Sequence, residues 1–257
     1  MSKKSLLTLL RSPRGSEVFM LGTAHISETS EEAVRRVIQA VKPKTVVVEL
    51  CAERAQILRE RGSNEGPERA FPHFDDPLMS KLSSTVSKFA FANGRDMHAA
   101  ILAADDCRAK VVYGDLTQTE VMSGLREAFQ AIGGFPGLMA RAAQAPPPPP
   151  SLLEVQMEAV LSLDVNKMVE NIKDRSIIYD LKSWVGCITP ELMAALLDRR
   201  DDHIFQALKK TVDGSPENRL SGYQTVAVVG VAHMDGIEEK WRSSYGSSSV
   251  LSIPELP

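Results

Sequence analysis

Cysteine is scarce: Cys51, Cys107 and Cys187 are three thiols in 257 residues. They are isolated, odd in number and form no CxxC pair, which argues against a secreted disulfide framework and for a reducing, intracellular setting. Charge of one sign is missing too. The formal net charge is −3 with acids and bases mixed along the chain, so no basic surface for nucleic acid is expected. Long apolar runs are absent as well, none approaching the roughly 18 residues of a membrane span, so no transmembrane segment is expected. The first ten residues open with lysines, but their apolar stretch of about five residues falls short of the roughly 7–15 of a signal-peptide core. These absences read as a soluble chain inside the cell, in the cytoplasm. What is present is 43% hydrophobic residues, enough for a sizeable core in one large α/β domain.

Two apolar runs each end in Gly-x-x-His: Val18 to His25 through Gly22, and Val226 to His233 through Gly230. Both have the composition of a strand buried on both faces. Between them Thr45-Val46-Val47-Val48 runs straight into Glu49. Were the three strands parallel in one sheet, His25, His233 and Glu49 would meet at its carboxyl edge, where open α/β sheets hold their ligands. Two histidines and a glutamate form a common ligand set for a catalytic divalent metal. Each residue also has a plainer reading. The histidines can cap strand ends on loop carbonyls, and Glu49 can pair with Arg54 or with an arginine near position 200. Asp115, after Gly114, can join the site or cap the helix starting near Thr117. Asp198 to His203 reads as a solvated charged face, although one of its arginines could point inward as an anion clamp. Cys51 can be a nucleophile or soft ligand, or a small buried residue at a helix start.

Along the chain, Leu6–Leu10 and Val18–Leu21 flank the turn cluster at 12–16 and read as a hairpin. A helix opening at 27–32 and ending before Pro43 leads into strand 45–48, which completes a βαβ unit. A charged helix follows to about Arg61, then a turn-rich loop over 62–77. Helices near 78–92 and 96–108 precede a strand ending at Tyr113. From Gly133 to Ser151 the chain is rich in glycine and proline, and 133–151 reads as a flexible, exposed segment within the single domain 1–257. Pro146–Pro150 should form a polyproline spacer of roughly 15 Å, which could also dock a proline-recognition partner. Helices near 152–161 and 164–185 come next, and a long helix opens at Thr189-Pro190-Glu191 and runs to about Val212. Strand 224–231, a short helix around Ile237–Trp241 and a strand near Val250–Ile253 close the chain.

Leu21 to Ser27, Val47 to Arg54, Gly114-Asp115, Leu197 to Asp201 and Val229 to Ile237 together resemble the TraB/PrgY family, named for a plasmid protein that shuts down peptide-pheromone activity. That family is grouped with TIKI proteases, erythromycin esterases and haem-binding ChaN-like proteins. The resemblance implies an α/β fold, a mainly parallel β-sheet flanked by helices with a helical insertion. It also implies a site built from both Gly-x-x-His motifs, a glutamate and an arginine. TIKI relatives are metal-dependent proteases. By analogy, His25, His233 and Glu49 would hold a divalent ion (Mn, Co or Zn), and peptide or another small acyl compound would be the substrate. Arg200 would steady the developing oxyanion, while Glu49 could instead be the general base. Two positions depart from the family pattern: Leu116 stands where an arginine is common, and Asp198-Arg199-Arg200 stands where Asp-Glu-Arg is common. A non-catalytic adaptor of the same fold is the alternative expectation. It would be peripheral on a mitochondrial or endoplasmic-reticulum membrane, where eukaryotic relatives can associate. Haem or small-ligand binding through one histidine is a third.

Overall fold

The computed structural model describes residues 5–24, 28–61, 94–155, 174–214 and 223–253. Leu7–Arg11 (β1) and Glu17–Thr23 (β2) form the expected hairpin, with Leu7 opposite Leu21 and Arg11 opposite Glu17. In the turn, the Ser12 N–H donates to the Ser16 carbonyl at 3.0 Å. Gly15 supplies the left-handed residue, with φ 85°. Four further strands are Thr45–Val48 (β3), Lys110–Tyr113 (β4), Gln224–Gly230 (β5) and Val250–Ile253 (β6). The helices are Glu28–Val41 (α1), Ala52–Arg61 (α2), Arg95–Asp106 (α3), Gln118–Ala131 (α4), Gly134–Ala143 (α5), Arg175–Ile188 (α6), Pro190–Met193 (α7), Arg199–Asp213 (α8) and Val231–Tyr245 (α9). A π-turn, Ala194–Asp198, joins α7 to α8.

The six strands make one sheet in the order β4-β3-β5-β2-β1-β6. β4, β3, β5 and β2 are parallel neighbours, and β1 alone runs against the rest. The β2–α1–β3 crossover therefore exists, but β5 lies between its two strands, so β2 and β3 do not touch. Between β4 and α8 the described residues contribute helices and their connections but no strand, which is the expected helical insertion.

Strict alternation on the central strands builds two cores. Val46, Val48, Val226 and Val228 face α1 and α3, against Val34, Ile38, Met97 and Ile101. Val47, Ala227 and Val229 face α8 and α9, against Ile204, Leu208, Met234 and Trp241. Helices on both faces explain why these strands read as continuous apolar runs rather than as polar–apolar repeats.

Three expectations change. The helix expected around Ile237–Trp241 is the fifteen-residue α9, which starts directly after Gly230. His233 thus stands in its first turn rather than in a loop past the strand. The segment from 133 to 151 contains a ten-residue helix, α5, entered through Gly133 and Gly134 at φ 83° and 65°. No side chain from 133 to 155 is buried, yet polar bonds tie the segment down. Arg141 grips Glu191 with two bonds of 2.7 and 2.9 Å, and Trp184 Nε1 donates to the Pro146 carbonyl at 2.8 Å. The chain is helical again from Pro150, so the non-helical stretch ends one residue before the proline run does. The loop expected at 62–77 and the helix near 78–92 lie outside the described residues, as do 156–173. No helix among the described residues is long and apolar enough to cross a membrane.

Candidate active site

Adjacent ends of the parallel strands deliver the polar groups. β3 ends at Val48, and Glu49 extends it by one residue, its N–H donating to the Val228 carbonyl of β5 at 3.2 Å. β5 ends at Gly230, whose backbone N–H donates to Glu49 Oε2. β4 runs into Gly114 and Asp115, and the Gly114 N–H donates to the Val48 carbonyl at 2.9 Å. Because α9 begins at once after β5, its first turn places His233 over the end of β3. The glycine of the first motif has a packing reason: a Cβ on Gly22 would lie 2.2 Å from the sulfur of Met234, the residue after His233. The two motifs are therefore packed against one another.

Around Glu49 a charge network forms among the described residues, with Glu49, Asp115, Arg200, Asp201 and His233 all at most 5% exposed. Glu49 Oε1 lies 3.2 Å from His233 Nε2 and also accepts from Arg200 Nη2. Arg200 forks onto Asp115 as well, with Nε to Oδ1 at 2.9 Å and Nη2 to Oδ2 at 2.7 Å. Arg54 Nη1 reaches Asp115 Oδ2 at 3.5 Å. His233 Nδ1 meets Asp201 Oδ1 at 2.6 Å. Three cations thus face three carboxylates. Burial is the largest influence on His233 and acts to strip its proton. The charge of Glu49, with hydrogen bonds to Asp201 and Glu49, opposes it and outweighs both burial and Arg200, pushing the pKa up to about 9. His233 is an imidazolium at neutral pH, with each ring nitrogen facing a carboxylate. Burial likewise pulls the Arg200 guanidinium down, but Glu49 and Asp115 raise it further above its ordinary value.

The structure brings Glu49, Arg200 and His233 together, while His25 lies outside the described residues. Glu49 makes the ion pair that burial of a carboxylate demands, with an arginine from the 200 region, while Arg54 goes to Asp115. Asp115 joins the network, and the helix after it is capped by Thr117 through a capping box with Glu120. The run from Asp198 to His203 is only partly a solvated face: Asp198, Arg199, Asp202 and His203 are exposed, but Arg200 and Asp201 are buried. Cys51 is a free, buried thiol just before α2, 3.9 Å from Glu53. Among the described residues no group of three or more His, Cys, Asp or Glu side chains is placed to hold a metal ion.

Sequence reasoning missed two residues. Asp201 looked like part of the solvated run. Asp96 is buried in the first turn of α3 and accepts from the hydroxyl of Thr23, the last residue of β2. An acid in a helix's first turn is ordinary, so its sequence carried no signal. Thr23 is the register partner of Gly230, which puts Asp96 at the same sheet edge.

No protein-family model matches the chain. It is similar to TraB domain-containing proteins of Bos taurus, Homo sapiens and Mus musculus, each 24% identical to it. The alignments cover 96% of this chain and 68%, 69% and 69% of theirs. The aligned part takes in nearly the whole of this chain and about two thirds of each relative. This likeness over nearly the whole chain supports its placement among the TraB-domain proteins.

Proposed function

We propose that this chain hydrolyses a peptide or other acyl bond with a divalent cation held by His233, Glu49 and His25. One observation carries the reading: Glu49 Oε1 and His233 Nε2 converge at 3.2 Å on the carboxyl edge of a parallel sheet. Two ligands each about 2.1 Å from one ion stand roughly 3.0–3.4 Å apart, so this pair has the separation that shared ligation needs. Imidazole and carboxylate also suit Zn, Mn or Co. When bound, such an ion polarises the scissile carbonyl and lowers the pKa of water. The protein's own residues supply the rest. Arg200 and the Gly230 N–H fix both oxygens of Glu49, so the carboxylate is held in one orientation before any ligand arrives. Arg200 adds positive charge beside the reacting centre, where an oxyanion would develop.

A second reading, a binding or adaptor protein, is favoured by the charge balance of the network, since among the described residues three cations pair with three carboxylates. In it the proline run Pro146–Pro150, of which Pro146, Pro147 and Pro150 are exposed, is where a proline-recognition partner would dock. Both readings place the protein inside the cell, in the cytoplasm or peripherally on an organelle membrane, in keeping with its three free cysteines.

Metal analysis of the purified protein, before and after loading with Mn, Co or Zn, is paired with hydrolysis of peptide and ester panels. Stoichiometric ion and turnover are expected, both lost in His25→Ala and His233→Ala. Arg200→Lys should keep the ion but lower turnover by about 10²-fold, because lysine lacks the planar fork. Wild-type protein that binds no ion and matches both histidine variants in every assay would overturn the enzyme reading and leave the adaptor.

A further inference from the structure

Asp201 and Gly236 have no role in the reading above, and the structure ties them together. Asp201 Oδ1 sits 2.6 Å from His233 Nδ1, the ring nitrogen that faces away from Glu49. Its other oxygen lies against Gly236, where a Cβ would come within 1.9 Å of Oδ2. Gly236 stands in the middle of α9, one turn after His233. Glycine is a poor helix former, so its presence there needs a cause. The close passage of Asp201 provides it. Asp201 cannot be explained as an acid at a helix start either. Backbone angles at Met193, Ala194, Asp198 and Arg199 are all right-handed helical, so α7, the π-turn and α8 form one continuous rod with no free N-terminus at Arg199.

The π-turn lies just before Arg200 and Asp201 and sets the phase at which this pair meets the site. One extra residue in a turn shifts the faces of the helix, a device common at functional sites. Arg200 then faces Glu49 and Asp115 while Asp201 faces His233. We infer that Asp201 is a positioning residue that acts through His233, holding the ring so that Nε2 faces Glu49, and that Gly236 is the opening that admits it. A metal-ligating histidine commonly has its second nitrogen held by a carboxylate, which fixes ring orientation and tautomer. The importance of Asp201 to ion affinity rests on the proposed hydrolase; its hold on the ring does not.

The experiment separates the two. The imidazole N–H protons of ¹⁵N-labelled protein are observed by NMR at fixed neutral pH, and the His233 signals are assigned by their loss in His233→Gln. A downfield, slowly exchanging Nδ1–H resonance is expected in the wild type. It should shift far upfield or vanish in the isosteric Asp201→Asn. Gly236→Ala should displace it as well, because Asp201 must move although its chemistry is unchanged. The methyl region of the same spectra reports whether each variant is folded. Added Zn²⁺ or Mn²⁺ should bind each variant about 10- to 100-fold more weakly than the wild type. A His233 resonance unmoved in both folded variants overturns the inference. So does a moved resonance with ion affinity and turnover within twofold of wild type. If the wild type binds no ion, the hydrolase reading fails, and the resonance alone decides whether Asp201 holds the ring.

Discussion

Replacing Arg200 by methionine removes the cation from the centre of the network while keeping much of its buried volume. In the wild type its guanidinium makes bonds of 2.9 and 2.7 Å to Asp115 and a further bond to Glu49. Removing one partner of a buried pair costs about 3–5 kcal/mol, because an uncompensated charge stays buried. The loss should sit at the lower end, since neither carboxylate is left wholly alone. Asp115 keeps Arg54 at 3.5 Å and the Leu116 N–H at 2.9 Å, and Glu49 keeps His233 at 3.2 Å. A loss of about 3 kcal/mol corresponds to a fall in Tm of roughly 6–12 °C for a chain of this size. Urea unfolding at pH 7 measures the same quantity through the midpoint at unchanged slope. Adding Glu49→Gln to Arg200→Met removes one of the stranded charges, so the double variant should recover part of the loss. A single variant that loses less than about 1 kcal/mol would behave like a surface ion pair, which would refute the placement of Arg200 in a desolvated network.

His233 should make stability depend on alkaline pH. Its proton is held more tightly folded than unfolded, with the pKa raised from 6.5 to about 9. Its contribution is therefore complete below pH 6.5 and lost as pH rises through 9. The Tm difference between wild type and His233→Gln should shrink over that window, and a constant difference would count against the protonated ring. Loading a divalent ion at pH 7 should release about one proton, since a ligating imidazole must be neutral. Calorimetry in two buffers of different ionisation enthalpy reads that number, and zero release would exclude His233 as a ligand. Changing Pro147, Pro148 and Pro149 together to alanine should move Tm by no more than about 2 °C, as expected of surface changes. A larger fall would show that the proline run packs against the domain.

Much of the fold was legible because buried parallel strands carry a dense local signal. Val46-Val47-Val48 feeds two different cores with consecutive side chains, and that requirement is written directly into its composition. Strand order was not. Nothing in Val226–Val229 says which neighbours its backbone will pair with, and β5 enters between β2 and β3 from near the end of the chain. The length of α9 was hidden for a different reason. Glycine is a poor helix former, yet Gly236 serves side-chain approach from α8 rather than a turn of its own backbone.

The site divides along the same line. Glu49 and His233 were found because each follows an apolar strand, so local pattern and tertiary position coincide. Asp201 was missed because its role depends on helix phase, which the π-turn resets just before it. Charge then decides how the two functional readings relate. With His233 protonated, the cluster of Arg54, Arg200, Glu49, Asp115 and Asp201 around it carries no net charge. Exchanging the His233 proton for a divalent ion leaves a surplus of one positive charge in a buried setting, where an unpaired charge is costly. An anionic ligand beside the ion would cancel that surplus. The charge-balanced network that favours an adaptor is thus the same one that, once loaded, would bind an anion. Ion affinity should accordingly rise when a carboxylate-bearing peptide is present. If ion and peptide bind independently, the exchange argument fails, and the network is structural.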